Sequence, residues 1–300
     1  MSGYYSGIII LTCINLLAVL GLSLLTGFTG SFCFGQAGFM AVGAYVSTLL
    51  TMNYAAPFPL ALFAGGLAGL LVSIPLGYPT LRLKGDYFAI ATLGFAEAMR
   101  LIIENLEKIT GGSRGIPGIP THTNLPLILV VTFFFVWLVR NYVSSRHGRN
   151  CVAVREDELA AEAIAVDTFR YKQISFAING FLGGLSGAFL AHYVGFIQPS
   201  MFGIPQSTQL IVMVIFGGMH SITGAVLAAI ILTALPEVLR AADAWRLVAY
   251  GAVVVLIMII RPEGLLGSWE LSKDSLQDLW SKLQARLNQY KEQRLAKAKE

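Results

Sequence analysis

Gly7-Ile-Ile-Ile-Leu-Thr-Cys-Ile-Asn-Leu-Leu-Ala-Val-Leu-Gly-Leu-Ser-Leu-Leu-Thr26 carries no charged side chain. It is as long as the roughly 20 apolar residues that a helix needs to cross a 30 Å hydrocarbon layer. Phe58 to Tyr78, Leu125 to Val139 and Trp245 to Ile260 are similar runs. The whole chain agrees with them, being 55% hydrophobic and only 13% charged, with a mean hydropathy of +0.67. Soluble domains carry about a quarter charged residues. No Lys or Arg precedes Arg82, so the first run lacks the basic start of a cleavable signal peptide and is expected to be retained as a helix.

Lipid cannot satisfy an open backbone, so each run must be helical. Candidate spans centre near residues 16, 43, 68, 96, 132, 184, 212, 230 and 252. The expected fold is therefore all-α, a polytopic integral membrane protein with about nine transmembrane helices, within a range of eight to ten. The seventh and eighth are short and separated only by Gly217-Gly-Met-His-Ser221, which leaves a broken helix or a re-entrant pair open. Residues 1–267 form the expected membrane domain, with a loop at 143–172, and 268–300 form a tail.

Orientation follows from the basic residues, which gather on the cytoplasmic side of membrane proteins. Arg82 and Lys84 fill one loop; Arg140, Arg146, Arg149, Arg155, Arg170 and Lys172 fill a second; and Arg261 and the lysines and arginines of the tail form a third group. Nine spans put all three on one side, with the N-terminus outside and the C-terminus cytoplasmic. The net charge of +4 is then explained by topology and anionic lipid, with no call for nucleic acid. Cys13, Cys33 and Cys151 imply no disulfide framework.

Several chemistries are missing. Thr110-Gly-Gly-Ser-Arg-Gly115 lacks the Lys and Ser or Thr of a phosphate loop. No His-Glu-x-x-His or Cys/His cluster occurs. The chain is not expected to be an enzyme, to hydrolyse ATP by itself, or to hold a metal or cofactor. Transport is the class that remains.

Glycines then mark where helices touch or break. Gly180, Gly183, Gly184 and Gly187 have the spacing of close helix packing. Gly27, Gly30, Gly35 and Gly38 are interleaved with Thr29, Ser31 and Gln36, a pattern that fits a broken helix lining a solute path. Glu97, Arg100 and Glu104 share a helix face and are expected to neutralise one another. His192 could be a gate or proton relay but is expected to be simply hydrogen-bonded, and Asp86 to cap the fourth span. Arg155 to Val166 reads as one short amphipathic helix. Leu159, Ala160, Ala163 and Ile164 form its small, apolar face, opposite the acids. It either rests on its own loop or the membrane surface, or docks in a partner's groove.

Leu22 to Tyr45, with Phe-Gly-Gln-Ala-Gly-Phe-Met-Ala-Val-Gly-Ala-Tyr at its end, resembles the opening of the LivM-type permeases of branched-chain amino-acid ABC importers. Leu81 to Glu97, Thr110 to Gly115, Ala153 to Ala163 with Arg170-Tyr-Lys172, Gly217-Gly-Met219 and Arg261-Pro-Glu-Gly-Leu265 are similar to that family in order and spacing. The resemblance covers roughly residues 15 to 266. It implies a subunit without cofactor in a bacterial or archaeal cytoplasmic (inner) membrane. Its implied partners are a LivH-like second permease, two cytoplasmic ATP-binding subunits and a periplasmic or external solute-binding protein, with membrane lipid around this chain. Glu156, Asp157, Glu158, Leu159, Ala160, Glu162, Ala163 and Ile164 would couple to the ATPase. Gly27, Thr29, Gly30, Gly35, Gln36, Gly38, Tyr87 and Thr92 are the candidate translocation path. Where the family usually has Leu-Gly-His-Ala, this chain has Gln36, and urea and short-amide permeases share much of the pattern. A channel or secondary transporter would explain the spans but gives the loop helix no purpose. The tail's Leu276, Leu279, Leu283, Leu287 and Tyr290 predict an amphipathic helix lying on the inner leaflet or an ATPase.

Overall fold

The computed structural model describes residues 2–238, together with 251–252, 254–256, 259–261, 264–267 and 270. Its helices are α1 (Ser2–Leu22), α2 (Gln36–Tyr54), α3 (Phe58–Thr80), α4 (Asp86–Asn105), the short α5 (Glu107–Thr110), α6 (Leu125–Ser144), α7 (Arg146–Glu156), α8 (Glu158–Ala163), α9 (Thr168–Val194), α10 (Ile204–Gly217) and α11 (Ile222–Val238). Among the described residues, helices occupy every position read as a span up to residue 238, and 251–252, 254–256 and 259–260 are helical where the ninth was expected. The tail helix expected over 268–300 lies, Glu270 apart, outside the described residues.

Among the described residues, five stretches are long and apolar enough to cross a membrane: Tyr4–Phe28, Phe58–Thr80, Leu125–Ser144, Thr168–Val194 and Pro199–Gly217. Hydropathy passes over α2 and α4 for a physical reason. Almost every α2 residue from Gln36 to Thr48 is buried by protein, so Ser47 and Thr48 never meet lipid. In α4, Arg100 Nε donates to Glu97 Oε2 at 2.8 Å and Nη1 to Glu104 Oε2 at 3.2 Å, the mutual neutralisation the spacing predicted. The face of α6 formed by Leu129, Val130, Phe133, Phe134 and Trp137 is exposed, as a helix solvated by hydrocarbon should be.

α9 is the axis of the bundle, packing on α1, α2 and α3. Its glycines meet glycines. Gly184 sits on the carbonyl of Gly65, Gly180 on that of Gly69, and Gly43 on the backbone of Gly184, so a Cβ at any of them would overlap main chain. Close backbone approach of this kind raises dispersion contact where lipid gives helices no hydrophobic reason to associate. Ser186 Oγ donates to the Ile14 carbonyl at 2.8 Å, fastening α1 to the same axis.

Loop contacts fall into two groups at opposite ends. At one end β1 (Ile116–Pro117) pairs antiparallel with β2 (Phe196–Ile197), with Ile116 opposite Ile197. Thr123 Oγ1 there donates to the Phe189 carbonyl at 3.2 Å, and Phe58 packs on His122 and His192. At the other end the segments near 30, 84, 155 and 172 surround one cavity, and Leu265 N donates to the Phe216 carbonyl at 2.8 Å. The basic loops lie in the second group. His192 is bonded as expected, its Nδ1 2.9 Å from the Ala188 carbonyl and its Nε2 3.1 Å from Thr51 Oγ1.

Replacing Gly184 by Leu should cost about 1–3 kcal/mol or more through overpacking. Gly94, whose added Cβ meets open space, should tolerate Ala without loss. Thermal unfolding of the two variants in detergent against the parent chain checks this.

Candidate functional site

The helix break expected between Gly27 and Gly38 is present. α1 runs into a π-helical turn, Ser23–Phe28, and the chain then leaves helical geometry until α2 begins at Gln36. π turns are rare and concentrate at functional sites because they free backbone groups. Thr29 Oγ1 donates to the Leu24 carbonyl at 3.0 Å and is hydrogen-bonded with Ser175 Oγ at 2.8 Å, and Ser175 Oγ lies 3.5 Å from Cys151 Sγ of α7. Gly30 has φ +78°, a left-handed conformation that glycine adopts without strain.

A polar cavity of about 480 Å³ opens beside this break. It is lined by Thr29, Gly30, Ser31 and Phe32, by the loop from Leu81 to Phe88, by Val154 to Glu158 and by Lys172. Thr29 and Gly30 of the candidate path therefore share a wall with Glu156, Asp157 and Glu158 of the loop helix. The other path residues lie elsewhere. Gly35 and Gly38 press on Thr92, Phe95 and Ala96 of α4, and Gly27 on the Met219 carbonyl. Thr92 Oγ1 is buried, accepting from Phe34 N at 3.0 Å and donating to the Ala89 carbonyl at 2.9 Å. Tyr87 is 72% exposed on the outside of α4. Gln36 is fully buried, its Nε2 donating to the Ala18 carbonyl at 3.0 Å, so the departure from the family's histidine falls in the packing between α1 and α2 rather than on the cavity wall.

Two local expectations are corrected. Asp86 does not cap α4: Gly85 holds the cap position without a side-chain bond, and Asp86 is the first residue of the helix, where a carboxylate still faces the positive end of the helix dipole. Arg155 to Val166 is not one helix. The chain turns at Asp157, whose Oδ1 accepts from Leu159 N at 2.9 Å and Ala160 N at 3.1 Å, capping α8. An aspartate able to bond its own following amides offers the backbone this alternative to continuing α7.

The break orients α8. Lys172 Nζ donates to Glu158 Oε1 at 2.6 Å and Thr168 Oγ1 to Glu162 Oε1 at 2.9 Å, tying the acidic face to the start of α9. Ala161 is buried, while Leu159 and Ile164 are 73% and 72% exposed and Ala160 and Ala163 are exposed with them. Sequence reasoning left Arg155 without a role. It lies in the cavity wall, donates through Nη1 to the Gly27 carbonyl at 3.0 Å, and through Nε and Nη2 to Glu156 Oε1. That contact holds the Glu156 carboxyl below the usual carboxylate range.

Long apolar helices around a glycine-packed axis, a broken first helix and charged loops gathered at one end describe a multi-pass membrane protein. The chain belongs to the family described as "Branched-chain amino acid transport system / permease component", whose profile matches residues 4–261. It is 34% identical to the high-affinity branched-chain amino acid transport permease LivM of Escherichia coli K12, over 85% of this chain and 68% of that one. It is 24% identical to the permease LivH of Salmonella typhimurium, over 86% and 92%. The probable LivM of Methanocaldococcus jannaschii is 24% identical over 78% and 77%. No solved structure matches the chain.

Asp157→Ala should remove the α8 cap at a local cost of about 1 kcal/mol. The expected outcome is roughly fivefold faster amide exchange at Leu159 and Ala160, with global unfolding unmoved. Hydrogen-exchange mass spectrometry reads it.

Proposed function

We propose that this chain is the permease subunit of an ATP-binding-cassette importer that carries leucine, isoleucine and valine into the cytoplasm of a bacterium or archaeon. Its partners are a LivH-like permease, two cytoplasmic ATPases and an external binding protein. The observation that carries the ATP-driven reading is the outward face of α8. Leu159, Ala160, Ala163 and Ile164 stand exposed in the most basic loop of the chain, the side the positive-inside rule assigns to the cytoplasm. Full burial of a Leu or Ile side chain is worth about 1.5–3 kcal/mol, so an aqueous groove in a partner stabilises this face where water does not.

The chain supplies a path and a handle, and the energy comes from outside it. Closure of two ATPases on nucleotide would move α8, and α8 would bias the bundle between outward-facing and inward-facing populations. Only a difference in how the ATPases hold the two states can shift that equilibrium. The branched-chain substrate is supported by the names of the relatives, both LivM and LivH.

Ala163→Arg puts a bulky cation into the docking face. In proteoliposomes holding the whole importer, with binding protein and labelled leucine, it should abolish ATP-driven uptake while membrane insertion stays normal. Undiminished uptake would sink the coupling assignment. Competition by isoleucine and valine, against none by urea, checks the substrate.

A further inference from the structure

Where α1 breaks, the Gly27 carbonyl is left in need of a donor. In the π turn Ser23–Phe28 a carbonyl accepts from the amide five residues on. Thr29 N reaches Leu24 O and Ser31 N reaches Leu25 O, both at 3.1 Å. The helix ends before any amide can serve Gly27 in the same way. Gly27 is buried, and an unserved buried carbonyl is costly, most of all near lipid. Its partner comes from 128 residues away, the Nη1 of Arg155 at 3.0 Å.

Arg155 stands next to last in α7, two residues before the Asp157 cap of α8. Its methylenes lie on Gly30, where an added Cβ would come within 2.8 Å of Cγ. Its remaining donors hold Glu156 at the elbow between the two helices. A planar fork with several donors suits holding two acceptors in fixed directions, which an ammonium cannot do. Beside this contact lies the cavity of about 480 Å³, lined both by the segment 29–32 and by the elbow 154–158. Arg155 thus joins the segment that would be moved by an ATPase to the segment that interrupts the first helix.

We propose that Arg155 is a positioning residue that transmits displacement of α8 to the break in the first helix, holding the Gly27 carbonyl with one nitrogen and Glu156 with the others. The proposal rests on α8 being the coupling helix. When α8 moves, the elbow carries the guanidinium with it. The carbonyl end of the π turn, which on its other side touches Met219 and is tied through the Thr29–Ser175 bond, follows. Without the arginine, movement of α8 is absorbed in the cavity.

The test measures leucine transported per ATP hydrolysed by the complete importer in proteoliposomes. Arg155→Ala should still assemble with both ATPases and hydrolyse ATP, but with a ratio about tenfold lower, within the span of coupling between two sites. Arg155→Lys should recover part of the ratio, because one donor still reaches Gly27. Glu156→Gln, at an exposed position, should lower it less than Arg155→Ala. An unchanged ratio in Arg155→Ala overturns the proposal. If that variant does not assemble, unchanged ratios in both Arg155→Lys and Glu156→Gln overturn it. Ala163→Arg separates the two readings. Normal uptake in that variant removes the coupling helix and this proposal with it, whereas lost uptake beside unaltered Arg155 variants removes the arginine's role alone.

Discussion

Contact between glycine backbones of α9 and those of α2 and α3 is the constraint on which the remaining structure depends. In water, helices gather to hide apolar surface. In lipid that force is absent, and what is left is close packing and hydrogen bonding. Gly43, Gly65, Gly69, Gly180 and Gly184 bring main chain against main chain, at separations a methyl group would forbid. Once α2 is enclosed in this way, its polar residues cost nothing in lipid exposure. That explains why a helix of modest hydropathy can sit at the centre while the strongly apolar α6 stays at the rim.

The same packing explains why the first helix can break. A π turn followed by seven non-helical residues is not tolerated against lipid. Here Thr29 bonds Ser175, Phe34 bonds Thr92, and Arg155 serves Gly27. These freed groups find protein. The break therefore depends on α4, α7 and α9 all being in place, and a change in any of them bears on it. The charged loops concentrate where the break ends, so the deformable part of the bundle and its most polar surface are the same place.

The span positions, the neutralised triad of α4, the packing glycines of α9, the break after Gly27 and the amphipathic character of α8 were all legible in the chain, because each rests on spacing within one helix. The elbow at Asp157 was missed because an aspartate inside a helical pattern competes for the backbone only through its own bond to the next amides. Gln36, Thr92 and Tyr87 looked like one group of path residues from their blocks. The fold separates them, burying the first two in different helix contacts and turning the third outward.

Sequence by itself determined that this protein lives in a membrane, where its helices lie and to which family its ordered motifs belong. Hydropathy and local periodicity act along the chain, and a bilayer reads them one helix at a time. Tertiary structure alone decided which glycines touch, which side chains face the cavity, and that Arg155 meets a carbonyl 128 residues away. Those contacts join helices with no fixed separation in the chain, so no spacing within one segment can encode them.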